Sequence, residues 1–279
     1  MIEWVAEREL IRRARDLAKW TRHEIDEAGL KPDDFEGITH KYGVTLCWER
    51  LPNNNPGCYI KEERKIVLNR SEELPERINF TFDHELMHDR IEHNDDLLSL
   101  LADSYIQSYE TMIERLCDTG AAELLMPSDD IQAIVREHGF STGTIPMLCH
   151  RYSASSIAVA MQMVSTASHH CYLVIAVPHY VRQDDDPSML VEVKAEKAQW
   201  QLVMLYTSAS PSAKYWIRRG QTIPSNHTMY AAWRGGGEVV RCYARIPFAS
   251  GNGWDVDFDA LYFRSKIFAF FNLTFPVYR

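Results

Sequence analysis

The 279 residues predict an α+β chain. Three observations carry that reading. Apolar residues recur at helical spacing through most of residues 1–168. A short group of strand-like runs interrupts the helices between residues 44 and 68. From about residue 170 the pattern changes to strands alternating with turns.

Taken in order, Glu3 to about Ala28 predicts a helix that covers a core, and Asp33 to Tyr42 a second, shorter one. Val44-Thr45-Leu46-Cys47-Trp48 and Lys65-Ile66-Val67-Leu68 are strand-like, with the turn-rich Asn53-Asn54-Asn55-Pro56-Gly57 between them. Tyr59-Ile60 reads as a middle strand. A small sheet here offers an edge to which an extended peptide can add. Pro75 then suits a first helical turn, where its missing N–H costs nothing. Glu72, Glu73 and Glu76 suit the positive end of the helix dipole. Ile78, Phe82, Leu86 and Ile91 recur at helical spacing, and neither Gly nor Pro interrupts Glu76 to Glu92.

Inside that helix lies His84-Glu85-Leu86-Met87-His88, the pattern H-E-x-x-H. Residues four apart on a helix share a face, so both imidazoles can reach one metal ion. Glu85 is then placed to act as a general base toward an attacking water. The motif therefore predicts a zincin-like peptidase, against the bland alternative of two solvated histidines on a surface helix. Zinc is the expected ion, with Mn²⁺ or another divalent ion as the substitute in a cell.

A third ligand has to come from elsewhere. His93-Asn94-Asp95-Asp96 opens a polar connection, in which His93 is either a surface residue or a transition-state donor. A second helix is predicted from about Ser104 to Met126, on Ile106, Tyr109, Ile113, Leu116, Ala121 and Leu124, and Pro127 closes it. Glu110, Glu114 and Asp118 form a carboxylate stripe at i, i+4, i+8. Glu114 with Asp118 is the spacing of a carboxylate ligand followed by a carboxylate that holds the far ring nitrogen of a ligand histidine. On spacing alone, that reading and a solvated acidic face stand level.

Residues 128–168 read as a helical module. Ser128 is expected to cap a helix through Glu137. Thr144 to Tyr152, a break at Ser153, and Ser155 to Val164 have the lengths of a helix-turn-helix. A DNA-reading second helix needs base-edge donors and nearby cations. This one offers Gln162 as its one long polar side chain, so a structural role is expected. Farther on, Cys171 to Val177, Gln201 to Tyr206, Glu238 to Ile246 and Lys266 to Leu273 read as strands. Arg182 to Ser188 reads as a solvated loop. A helix capped by Ser225 and running through Trp233 is ended by Gly235-Gly236-Gly237.

The block Ile113-Glu114-Arg115-Leu116-Cys117-Asp118-Thr119-Gly120-Ala121-Ala122-Glu123-Leu124-Leu125-Met126-Pro127, downstream of the H-E-x-x-H helix, resembles the IrrE (PprI) radiation-response metallopeptidases of the ImmA/IrrE family. Leu205 to Ser208, Lys214 to Gly220, Arg245 to Phe248 and Gly253 to Asp257 are similar to that family's C-terminal region, so the resemblance spans nearly the whole chain. It implies His84, His88 and Glu114 as metal ligands and Glu85 as catalytic base. It also implies a GAF-like C-terminal domain. Two positions depart from the family pattern: Asp118, where Asn is common, and Asp83, where Ala is common in the wider family. Asp118 can still orient a ligand histidine. Nothing in the sequence explains Asp83.

Composition bounds the rest. Net charge is −9, but residues 1–127 carry 16 Lys and Arg against 27 Asp and Glu, while the remainder carries 14 against 12. So acidic a first half excludes tight DNA binding by that half and suits a basic protein partner. The start is studded with charge and does not read as a signal peptide, and no apolar run reaches transmembrane length, so a cytosolic protein without membrane contact is expected. Six scattered cysteines without C-x-x-C read as reduced thiols. The expected organisation is a peptidase domain at 1–127, the helix-turn-helix-like module at 128–168 and the GAF-like domain at 169–279, whose small-molecule ligand, if it has one, is not legible. By resemblance the substrate is an XRE-type helix-turn-helix repressor (DdrO-like), whose cleavage releases radiation- and desiccation-response genes. Direct DNA binding is not expected. Two alternatives stand beside this: an ImmA-like peptidase acting on a mobile-element repressor, and a DNA-binding activator with a structural metal.

Overall fold

The computed structural model describes residues 2–105, 108–181, 199–213, 215, 217–249, 251 and 253–273. The expected loop at Arg182 to Ser188 and the apolar position Ile106 lie outside the described residues. Packing divides the chain into two units, residues 1–130 with 148–155, and residues 131–147 with 156–279.

The first unit opens with helix α1 (Ile2–Glu27). Leu10, Ala14, Ala18, Thr21 and Ile25 are buried at helical spacing and define its inward face. Helix α2 (Phe35–Tyr42) is capped by Asp34, whose side chain accepts from Gly37 N–H. Strands β1 (Thr45–Glu49), β2 (Gly57–Ile60) and β3 (Lys65–Asn69) follow. The sheet order is β1-β3-β2, with β1 parallel and β2 antiparallel to β3. The middle strand is therefore β3, whose Ile66, Val67 and Leu68 are all buried. Tyr59-Ile60, expected in the middle, belongs to an edge strand. The reason is burial: a strand covered on both faces carries consecutive apolar residues, and β3 does so while β2 does not.

Helix α3 (Pro75–Glu92) carries the H-E-x-x-H motif and has Pro75 in its first turn, as expected. The polar connection expected after it is instead helix α4 (Asp95–Ser104). Asn94 caps α4 by accepting from Leu97 N–H, and Leu97 and Leu101 bury one face. The next helix, α5 (Tyr109–Leu125), consequently starts later than Ser104. It packs closely on α3 at Gly120, where an added Cβ would lie 2.5 Å from Met87 Cε. That close approach is what brings the carboxylates of α5 over the histidines of α3.

Helix α6 (Ser128–His138) begins where predicted, but Ser128 gives both its N–H and its hydroxyl to buried Glu123. Helices α7 (Ile145–Tyr152) and α8 (Ser156–Ser165) flank Ser153, whose φ of 47° makes the break. Gln162 is buried.

The second unit is built on an antiparallel sheet of β4 (His170–Val181), β5 (Gln199–Ala209), β6 (Thr222–Ile223), β7 (Val240–Arg245), β8 (Asp255–Phe263) and β9 (Lys266–Leu273). Their order is β6-β5-β4-β9-β8-β7. Both faces of β4 and β9 are buried, which is why they read as continuous apolar runs. Helix α9 (Met229–Arg234) packs on β8 and β9. It begins later than Ser225, with Thr228 at the N-cap position and the Met229 N–H donating to His227 Nδ1. Strand β8 was not expected, since aspartate is rare in strands. Asp259 is accommodated because both its oxygens accept from Thr142 N–H. No helix among the described residues is long and apolar enough to cross a membrane.

Candidate metal centre

The residues singled out in the sequence meet on one side of α3. His84 and His88 sit on one helix face four residues apart, and their Nε2 atoms stand 3.2 Å apart. Glu114 reaches across from α5, with Oε2 3.2 Å from His84 Nε2 and Oε1 3.4 Å from His88 Nε2. Three donors each about 2.0–2.1 Å from one tetrahedral ion stand about 3.3 Å from one another. The donor set and its spacing thus fit a single divalent ion with a fourth position left over. Asp118, one turn after Glu114, places Oδ1 3.0 Å from His84 Nδ1. That bond puts the proton on Nδ1 and leaves Nε2 free to bind. Glu110 is exposed and lies outside this group.

The three donors border a cleft of about 510 Å³. Its floor is α3, through Phe80, Thr81, His84, Glu85 and His88, and one wall is the edge strand β2 with Asn55 and Pro56 leading into it. Glu85 is 7% exposed. Burial pushes its carboxyl up to about 7; His84 opposes this, Glu114 adds to it, and the Tyr59 backbone N–H pulls it down. A carboxyl in that range can take and return a proton near neutrality. Burial works against a charged His84, but the Asp118 hydrogen bond and the nearby Glu85 and Glu114 outweigh it and raise its pKa. Burial and the neighbouring His84 lower that of His88. His93, weighed as a donor, ends α3 with Nδ1 2.8 Å from the Asp89 carbonyl and does not line the cleft.

One part of the site escaped the sequence reading. Asp89 follows His88 and is fully buried. Tyr59 Oη donates to its Oδ1 at 2.8 Å, and Arg64 Nε and Nη2 donate to its two oxygens at 3.0 Å each. Arg64 holds a left-handed φ of 46° in the β2–β3 turn. The network ties β2 to the metal helix, and the Tyr59 ring lies parallel to the His88 ring, within 8° and 6.3 Å. Asp89→Ala is expected to destabilise the first unit by about 2–4 kcal/mol, below the loss for a fully buried pair because Arg64 is partly open to solvent. Urea unfolding followed by circular dichroism checks it, and an unchanged midpoint would remove Asp89 as the tie.

Residues 39–163 match the peptidase M78 family, described as the IrrE N-terminal-like domain. The radiation response metalloprotease IrrE of Deinococcus deserti is 30% identical over 249 residues, covering 88% of this chain and 84% of that protein. The chain belongs to the IrrE family. The IrrE of Deinococcus radiodurans is 31% identical over 201 residues, 71% of this chain but 60% of that longer relative. A solved Mycobacterium tuberculosis transcriptional regulator shares the fold, with a TM-score of 0.60 at 12% identity over 98% of this chain and 81% of that one. IrrE membership makes the protein a metallopeptidase and implies a divalent metal. Among the described residues, His84, His88 and Glu114 are the group able to hold one. Asp118, an aspartate where the IrrE block commonly has asparagine, keeps the contact to His84.

Proposed function

We propose that this IrrE-family protein is a zinc-dependent endopeptidase that cleaves an XRE-type, DdrO-like helix-turn-helix repressor in the cytosol and so releases radiation- and desiccation-response genes. The observation that carries the chemistry is the convergence of His84, His88 and Glu114 beside a buried Glu85. In this reading His84, His88 and Glu114 hold the ion, and Asp118 fixes the His84 tautomer. A divalent ion held there would supply Lewis-acid chemistry, polarising a carbonyl and making a water more acidic. Glu85 would remove the proton of the attacking water and return it to the leaving amine, a role that its burial beside the three donors without being one of them suits. The edge strand β2 borders the cleft, and its main-chain groups other than the Tyr59 N–H, which Glu85 accepts, would align the substrate as an added strand, while the Tyr59–Asp89–Arg64 network holds that strand beside the donors.

The repressor assignment draws on the relatives' radiation-response role. It draws also on charge, since the acidic first half suits a basic, DNA-binding substrate. Against direct DNA binding by the chain itself, Gln162, the one long polar side chain of the second helix at 128–168, is buried. We assign residues 128–168 to a structural helix-turn-helix-like module and 169–279 to a GAF-like sensor or docking domain. The test is incubation of the metal-loaded protein with the XRE-type repressor of the same genome. One cut, mapped by mass spectrometry and lost on chelation, is expected. An intact repressor together with a mobility shift of operator DNA by the protein alone would favour the DNA-binding activator.

A further inference from the structure

Phe80 is a half-buried aromatic side chain on α3 that, among the described residues, lies outside the core cluster of the first unit. The core cluster of the first unit takes Ile78 and Phe82 from this stretch of α3, and Phe82 stacks on Phe35 at 4.2 Å, but Phe80 is not part of it. Phe80, His84 and His88 fall at i, i+4, i+8 and so share the face that floors the cleft. The Phe80 ring stands 6.4 Å from the His84 ring, within one side chain's length of the metal donors. A half-buried aromatic held at a reacting centre without core partners is a binding surface in waiting.

The β2 wall of the same cleft is tied down by hydrogen bonds from β3. Pro56 lines it, and its carbonyl accepts from Asn69 N–H at 2.9 Å. Asn69, itself buried, also donates Nδ2 to the Asn55 carbonyl at 2.7 Å, so the turn entering β2 is pinned from β3. Gly57 follows, and an added Cβ there would lie 2.5 Å from Thr81 Cγ2, so the strand presses directly on the Thr81 methyl. Pro56, Phe80 and Thr81 line the same cleft, and the turn of α3 that carries Phe80, just before His84, is its apolar corner. No Lys or Arg lines the cleft among the described residues.

We propose that this corner is a specificity subsite, in which Phe80 receives a large apolar side chain (Leu, Met or Phe) from one of the two residues flanking the scissile bond. The proposal rests on the peptidase reading of the same cleft. Apolar area removed from water favours such a side chain, and the pinned wall spares the ordering cost of closing on it. Smaller side chains leave the corner unfilled, so the preference appears in kcat/KM rather than in metal affinity.

The experiment profiles cleavage of a mixed-sequence peptide library by full-length, zinc-loaded wild type, Phe80→Ala and Phe80→Leu. Zinc affinity is measured in parallel by competition with a chromophoric chelator. Wild type is expected to favour Leu, Met or Phe over Ala at one flanking position by at least about tenfold in kcat/KM. Phe80→Ala should bring that ratio to within about threefold, Phe80→Leu should keep most of it, and zinc affinity should hold in both. A wild-type profile without apolar preference, or the same preference in Phe80→Ala, overturns the subsite. No cleavage of the library by wild type that still cuts the repressor would overturn the subsite alone; no cleavage of either would contradict the peptidase reading itself.

Discussion

Glu85→Gln is expected to keep the fold and the metal while lowering repressor cleavage by ~10²–10⁴-fold. Glu85 is buried against the cleft floor, beside the three donors but not one of them. Glutamine preserves its volume and its ability to accept from the Tyr59 N–H, and removes the proton acceptor. Metal content and circular dichroism should therefore match wild type, and the loss should fall on turnover. Cleavage by the variant at more than about a tenth of the wild-type rate would be too fast for the loss of a general base and would take Glu85 out of the mechanism.

Glu114→Ala is expected to lose the metal, and Glu110→Ala to keep it. Glu114 stands 3.2 and 3.4 Å from the two histidine Nε2 atoms, whereas Glu110 lies outside that donor group. Asp118→Ala occupies the middle ground. It removes the partner of His84 Nδ1 without removing a donor, and affinity should fall by ~10–100-fold. Metal content of the three purified variants, with affinities by chelator competition, decides among them. Full metal occupancy in Glu114→Ala would move the third ligand to another carboxylate.

What could be read in the sequence follows from where the signal lies. The α3 helix and the pairing of Glu114 with Asp118 were legible because each is a local, periodic pattern: Pro75 at the start, uninterrupted apolar spacing, carboxylates four apart. Strands β4 and β9 were legible for the same reason, each buried on both faces. Which carboxylate of the stripe meets the histidines is a tertiary fact. It depends on how closely α5 lies on α3, and Gly120 against Met87 sets that. The tie between Tyr59, Arg64 and Asp89 joins residues 5 to 30 positions apart through side chains alone, and no periodicity announces it. Two elements were hidden by aspartates. Asp95 and Asp96 looked like loop residues but occupy the first turn of α4, behind an Asn94 cap that the sequence does display. Asp257 and Asp259 masked β8, and Asp259 is tolerated there through a backbone donor from residue 142.

The proposed centre holds one divalent ion with two imidazoles and a carboxylate and leaves a position open to substrate. X-ray absorption at the zinc edge, on full-length protein loaded with one equivalent, tests it most directly. Nitrogen and oxygen donors at about 2.0–2.1 Å, a two-imidazole scattering signature and no sulfur are expected. With six free cysteines in the chain, Cys58 among them at the cleft wall, a thiolate ligand is the clearest competing outcome. A sulfur shell at about 2.3 Å would mean that the ion sits in a different donor set and would contradict the catalytic centre described above.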